Sequence, residues 1–274
     1  MRRISFAEIS IFVVNRIFNW RFAIAGLTKK SKIAKKVINK MLFEKDDVVI
    51  IPNTIQINQK IEDSGSEFLP TDVIKEVIKQ CDDIVIMDTC LCRTSNKCED
   101  YPHDIGCIFL GPTSRKIPRS IGYTATVEQA LKHVDKADEA GLSHLIGRNK
   151  IDSVWMNVRP DEGLLTICHC CPCCCLWKVV PNLEDEISNK VTRLDGVTIT
   201  YHEEECKNCM KCTREEVCMF DALSVVDGKI NIDSEKCKGC GHCVKECKFN
   251  AITIDYTDEA IDNVINRMYN LIEE

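Results

Sequence analysis

The chain changes its hydrophobic period several times, and each change marks a predicted element. Ile9, Phe12, Val13 and Ile17 recur at helical spacing with Arg16 elsewhere around the helix, which predicts a helix packed through that apolar face on the body or on a subunit. Residues 46–66 read as extended chain and loop, with Val48–Pro52 as a strand. Thr71–Gln80 has helical spacing behind Thr71 as N-cap. Ile84–Met87 is a short continuous apolar run of the buried-strand kind, and it leads directly into Cys90-Leu-Cys92-Arg93. Thr126 and Gln129 form a capping box opening a helix that ends at Gly141. Ile151–Val158 reads as a strand, and Leu164–Ile167 as another that leads into Cys168-His-Cys-Cys-Pro-Cys-Cys-Cys175.

Further along, two apolar stretches flank Asp227-Gly228, a hairpin signal, and Ala251–Asp255 alternates like a returning strand with Val197–Tyr201 as its partner. Asp258–Ile272 is an amphipathic helix with Ile261, Val264, Ile265, Met268 and Leu271 on one side, which predicts packing on the chain's own core ahead of dimerisation. Alternating helices and short strands over residues 46–180 predict a small α/β domain. Two of its strands end in cysteines, and the carboxyl ends of strands are where such sheets often carry functional groups. If those strands are neighbours, Cys90 and Cys92 face the octet at 168–175.

Composition sharpens this picture at the cysteines. At 274 residues, 45% apolar and 28% charged, the chain has the make-up of an ordinary soluble globular protein of one or two domains. Nineteen cysteines in ligand-like spacings are not ordinary, and a reducing cytoplasm suits thiolates that must stay reduced to hold metal. Residues 1–45 hold eleven Lys and Arg against two acids, a charge of +9 that leaves −15 for the rest, so docking through one or both surfaces is expected. The opening Met-Arg-Arg resembles a twin-arginine signal, but Glu8, Asn15, Arg16, Asn19 and Arg21 break the apolar region such a signal needs. No stretch reaches the length of a membrane span, which leaves peripheral membrane contact as the lesser alternative to helix packing.

Cys237-x2-Cys240-x2-Cys243-x3-Cys247 is the most specific pattern, and Cys206-x2-Cys209-x2-Cys212-x5-Cys218 nearly repeats it. Over residues 198–256 this resembles the bacterial two-cluster ferredoxin, in which each run gives three thiolates to one [4Fe-4S] cluster and its fourth to the other. The resemblance implies one cluster on Cys206, Cys209, Cys212 and Cys247, and a second on Cys237, Cys240, Cys243 and Cys218. Two features depart from it: five residues, not three, precede Cys218, and Met219 and Lys248 stand where proline is usual. Zinc knuckles, the alternative, are usually built from separated cysteine pairs.

Ten further cysteines form a second constellation: Cys90, Cys92, Cys98, Cys107, Cys168, Cys170, Cys171, Cys173, Cys174 and Cys175. Cys81 stands apart, as a small buried residue. Sulfur-rich sites favour zinc, copper(I) or iron–sulfur, and beside two clusters a further iron–sulfur cluster is the economical expectation, ahead of zinc or a dithiol. Thiols beyond four permit two further clusters or one non-cubane cluster. The strings around Cys90, Asp104–Gly111, Glu139–His144 and the octet make residues 68–256 similar to a little-characterised group of ferredoxin-domain proteins of methanogenic archaea and anaerobic bacteria.

The remaining polar residues have plainer readings. His169 is a further ligand or hydrogen-bond donor, His144 satisfies local backbone, and His242 bonds near sulfur. Arg93 neutralises cluster charge, binds an anion or forms a surface salt bridge. There is no Gly-x-Gly-x-x-Gly motif or phosphate loop, and the basic arm lacks regularly spaced aromatics, so neither nucleotide nor nucleic acid is expected.

The sequence therefore predicts an α+β protein: a basic helical arm (1–45), a cysteine-rich α/β domain (46–180), a 2[4Fe-4S] ferredoxin domain (198–256) and a C-terminal helix (257–274). Its expected function is electron transfer with a redox partner protein, passing single electrons through two clusters to a further cluster or thiol site. Two alternatives stand beside it: an iron–sulfur reductase of a disulfide, persulfide or other sulfur substrate at Cys168–Cys175, and a module delivering metal or clusters.

Overall fold

The computed structural model describes residues 5–53 and 70–273. Residues 1–3 of the twin-arginine-like opening, 54–66 of the expected loop, and the side chain of Ile261 lie outside what is described.

Three helices come first, α1 (Phe6–Ile17), α2 (Arg21–Lys30) and α3 (Lys32–Ile38), the last running into a π-turn over Asn39–Phe43. The sheet and its helices follow as β1 (Asp47–Ile51), α4 (Pro70–Lys79), β2 (Ile84–Met87), α5 (Leu91–Asn96), β3 (Ile108–Leu110), β4 (Gly122–Thr124), α6 (Val127–Glu139), β5 (Ser143–Arg148), α7 (Lys150–Met156), β6 (Leu165–Cys170), α8 (Asp185–Ser188) and β7 (Val191–Arg193). The C-terminal part holds β8 (Thr198–Tyr201), β9 (Leu223–Val226), β10 (Lys229–Ile232), α9 (His242–Glu246), β11 (Ile252–Asp255) and α10 (Asp258–Glu273).

Seven strands form one mixed sheet in the order β4-β2-β3-β6-β5-β1-β7, antiparallel throughout except where β7 runs parallel to β1. Strand β7 carries the sheet past residue 180, where the α/β segment was expected to end. One face of the sheet is covered by α4, α6 and α10 in a core that includes Ile74, Val77, Ile86, Ile146, Val264 and Met268. Over the other face lie Trp177, Val180, Met219 and Phe220 against Val48, Ile50 and Leu145. Met219, at the position where proline is usual, therefore packs the C-terminal module onto the sheet and does not merely loosen a turn.

Several local expectations hold. Thr126 and Gln129 make both capping-box bonds, and Gly141 with φ +72° ends the turn after α6. The β9–β10 hairpin turns on Asp227 and Gly228, both at positive φ, as a two-residue loop requires. Strands β8 and β11 pair antiparallel. Helix α10 packs on α4, with Val264 and Met268 fully buried and an Arg267 Nε–Asp47 Oδ2 hydrogen bond of 3.0 Å.

Others are corrected. Residues 150–156 form a helix, not a strand: Asn149 caps it by accepting from the Ile151 N–H, and Asn157 with φ 52° closes it. Thr71 stands inside α4, which starts at Pro70, and its hydroxyl donates to Asp138 Oδ1. Helix α1 forms with a complete Ser5–Glu8 capping box but turns its expected apolar face outward. Ile9, Phe12, Val13 and Ile17 are 40–58% exposed, while Ala7, Ile11, Val14 and Phe18 face the body. The helix is apolar on two sides, so periodicity alone picked the wrong one.

Candidate iron–sulfur centres

Strands β2 and β6 are not neighbours, because β3 lies between them. Their cysteines meet nonetheless. Two antiparallel steps make β2 and β6 parallel, so their carboxyl ends and the amino end of β3 lie along one edge of the sheet. Cys107, one residue before β3, stands opposite Cys168 by register, with Sγ–Sγ 3.6 Å. Cys90 and Cys92 arrive there from the start of α5.

The ten thiols divide into two groups. Sulfurs of Cys98, Cys171, Cys173 and Cys174 all lie within 4.8 Å of one another, with Cys98 and Cys173 3.5 Å apart. The other six, Cys90, Cys92, Cys107, Cys168, Cys170 and Cys175, line a single cavity walled by Phe109, Trp155, Leu176 and Trp177, and Cys171 borders it from the first group. Within it, thiol hydrogen bonds link Cys90 to Cys92, Cys92 to Cys175 and Cys175 to Cys170. Bonding between thiols and burial hold Cys90, Cys92 and Cys168 well above the ordinary thiol range, and burial foremost does so for Cys175. Such thiols surrender their protons only to a positive charge such as a soft metal.

Arg93 supplies part of that charge, and it is wholly buried, which removes the surface salt-bridge reading. Its Nε donates to Pro102 O and one Nη to His169 O, both at 2.7 Å, and the other Nη donates to Ile105 O. Burial works against its charge, yet Cys90, Cys171 and Cys107 raise its pKa on balance. The guanidinium thus clamps the loop after α5 to strand β6 and lies beside thiols of both groups.

The histidines fall elsewhere than expected. His144 and His169 are register partners in β5 and β6, with Nδ1–Nδ1 2.9 Å, both buried, and His144 Nε2 is 3.8 Å from Asp138 Oδ1. Strand alternation points His169 away from Cys168 and Cys170, toward His133 on α6, so its ring is turned from the thiols. His144 lies in β5, a few residues after the end of α6. The His242 ring lies 3.1 Å from Ser143 Oγ, which in turn donates to Cys170 O. Burial pushes His242 down to about 3, so the ring is neutral. His133, which bonds Gly106 O at 2.9 Å, and Ser143 carried no sequence signal for these roles.

In the C-terminal module, the thiols felt by Cys212 are Cys247, Cys209 and Cys206, and those felt by Cys240 are Cys218, Cys243 and Cys237. Left-handed residues Asn208, Met210, Gly239 and Gly241 coil the two loops around them. Backbone N–H groups of Asn208 and Ala222 donate to Cys206 and Cys218 sulfur at 3.4 and 3.3 Å. A cavity of about 330 Å³ joins this module to the four-thiol group: Cys173, Pro172 and Tyr101 line it with Val217, His242 and Lys245. Two four-thiol sets of this kind suit iron–sulfur clusters, and the soft donors at the sheet edge suit additional centres.

Comparison with known proteins agrees. Residues 230–253 match the 4Fe-4S binding domain, which takes in the second cysteine run. An iron-sulfur protein of Rhodospirillum rubrum is 28% identical over 113 residues, 38% of this chain and 57% of that protein. A polysulfide reductase subunit of Wolinella succinogenes is 28% identical over 115 residues, 37% of this chain and 57% of that one. Dihydromethanopterin reductase (acceptor) of Methanosarcina mazei is 45% identical over 49 residues, 18% of this chain and 20% of that one. The chain spans little more than half the length of the first of these relatives, and no solved structure matches. Among the described residues no helix is long and apolar enough to cross a membrane. By domain and by likeness, this chain carries a 4Fe-4S binding domain in its C-terminal part and is similar to iron–sulfur proteins.

Proposed function

We propose that the protein relays single electrons through two [4Fe-4S] clusters, on Cys206, Cys209, Cys212 and Cys247 and on Cys237, Cys240, Cys243 and Cys218, into a further centre on Cys98, Cys171, Cys173 and Cys174. The observation that carries this reading is the shared cavity in which Cys173 faces α9 of the cluster module. The His242–Ser143–Cys170 chain, the Lys245–Tyr101 cation–π contact and buried Met219 support a fixed distance between donor and acceptor. Domain limits near those expected, a reducing cytoplasm and a redox partner protein belong to the same reading.

The test is iron, acid-labile sulfide and zinc per chain after anaerobic purification, with EPR before and after dithionite. About twelve irons, with a signal beyond a coupled pair, supports a cluster at the four-thiol site. About eight irons with zinc or free thiols there ends the relay at the cluster module. A second reading is reduction of a sulfur substrate at the sheet edge. The six thiols around one cavity favour it, and the similarity to a polysulfide reductase subunit agrees. Turnover of polysulfide or disulfide lost in cysteine variants that keep every cluster would favour that reading.

A further inference from the structure

We infer that the six thiols Cys90, Cys92, Cys107, Cys168, Cys170 and Cys175 hold a second, separate centre in the α/β domain, an iron–sulfur cluster distinct from the one assigned to Cys98, Cys171, Cys173 and Cys174. This rests on the reading that the α/β domain carries metal at all. The separation is geometric: the four sulfurs group among themselves within 4.8 Å, while the six line a cavity that only Cys171 of those four borders. Chemistry then selects the occupant. A zinc ion takes four ligands, so six converging thiols exceed what one zinc can use. Magnesium and calcium need oxygen, and among the described residues the only carboxylate lining this cavity is Asp152, which is engaged by Thr166 Oγ1 and Asn149 Nδ2 at 2.8 Å each. A polynuclear cluster spreads several thiolates over several irons and offsets their charge, which a single buried Arg93 cannot do alone.

The cavity's position gives this centre a role. Its walls are apolar, and Trp155 and Leu176 also line a second apolar cavity under the N-terminal helices. Cys170 and Cys175 also share one buried cluster with Met219, Phe220 and Cys240 of the cluster module, so the six-thiol centre adjoins that module directly, as a second branch of the relay beside the four-thiol set. The experiment uses the full chain, purified and reconstituted anaerobically, with two paired variants: Cys92→Ser/Cys175→Ser and Cys98→Ser/Cys173→Ser. Each pair should remove its own increment of metal, the first lowering iron by about four or more per chain, with the dithionite-reduced ferredoxin-type EPR signal intact. If the two pairs combined remove no more iron than either pair alone, there is one centre and the inference fails. It also fails if Cys92→Ser/Cys175→Ser leaves iron and sulfide unchanged. Should that pair not fold, wild-type counting decides: about twelve irons, falling to eight in Cys98→Ser/Cys173→Ser, sustains the relay and overturns the second centre.

An independent observation concerns the outward face of the N-terminal helices. Phe6, Ile9, Val13 and Ile17 of α1, Trp20, and Ile33, Val37 and Met41 of the next segment are large, apolar and 40–79% exposed. Lys30, Lys32, Lys36 and Lys40 are interleaved with them, and among the described residues these four make no ion pair. We propose that this face lies on an anionic membrane surface. The charge is complementary, +9 in the arm against −15 elsewhere, and orients the acidic body away from the lipid. Co-sedimentation with phosphatidylcholine vesicles, with and without phosphatidylserine, tests it on the full holo chain. Binding should require phosphatidylserine, weaken by at least about tenfold in a Lys32→Gln/Lys36→Gln/Lys40→Gln variant, and vanish in Ile9→Asp/Val13→Asp. No binding to either vesicle overturns the proposal, as does a wild-type dimer that becomes monomeric in Ile9→Asp/Val13→Asp without lipid.

Discussion

Replacing Arg93 by lysine keeps the charge at the sheet edge but offers one nitrogen where three stood. In the native site three carbonyls, of Pro102, Ile105 and His169, each take a separate guanidinium nitrogen. A lysine ammonium placed among them satisfies one, at best two, and leaves the rest buried without a donor. An orphaned buried carbonyl costs about 1–3 kcal/mol, so the change should cost about 2–4 kcal/mol in the segment that holds Cys90, Cys92 and Cys107. At about 1.4 kcal/mol per decade this becomes a roughly 30- to 1,000-fold faster opening of that segment. The assay is the rate at which visible cluster absorbance is lost, anaerobically, in moderate urea with an iron chelator. Arg115→Lys is the control, since Arg115 only pairs with Asp83 at the surface. Should Arg93→Lys lose absorbance within about threefold of the wild-type rate, the clamp contributes less than about 1 kcal/mol and the account of Arg93 is wrong.

Asp46 is buried, and burial raises its carboxyl to about 7 although it accepts from the Lys150 N–H at 2.8 Å. A raised native pKa means stability is lost as pH climbs from about 4, the unfolded value, through about 7. Asp46→Asn should therefore raise the unfolding midpoint progressively between about pH 5 and 8 and by a constant amount above, read by calorimetry at several pH values. Gly147 sits at φ +153° against β1, and a Cβ there would lie 2.6 Å from Val48 Cα. Gly147→Ala should cost more than about 2 kcal/mol by urea denaturation, whereas Gly228→Ala in the open hairpin turn should cost only its backbone strain, about 1 kcal/mol. Ser143→Ala removes the hydroxyl that His242 meets, and should speed cluster loss by a few-fold while iron content at purification stays unchanged.

Sequence reading succeeded where the signal is local. A capping box and a two-residue Asp-Gly turn each specify their own geometry within a few residues, and both appear at the expected positions. It failed where the answer depends on distant partners. That Ile9, Phe12, Val13 and Ile17 face outward is decided by α5 and α7, which α1 covers with its other side. Residues 150–156 carry enough β-branched character to read as a strand, but the Asn149 and Asn157 caps outweigh it. Nothing near Arg93 announces burial, because its three acceptors come from a loop nine to twelve residues away and from β6.

The division of thiols at the sheet edge follows from how the octet changes backbone geometry partway along. Cys168 and Cys170 are the last positions of β6 on one face, two residues apart, so period-two alternation points both toward Cys107 and the six-thiol cavity and sends His169 the other way. After Cys170 the strand ends, Pro172 stands in the turn, and Cys171, Cys173 and Cys174 swing toward Cys98 at the end of α5. Cys175 then opens the short helical segment at Leu176 and points back to Cys92 and Cys170. Six cysteines in eight residues are too dense for one metal ion, and strand, turn and helix start give them two destinations. A single residue inserted between Cys170 and Pro172 would rotate the turn and break the four-thiol set, yet leave Cys168 and Cys170 facing Cys107. The density of the octet is thus what two adjacent centres require of one continuous segment.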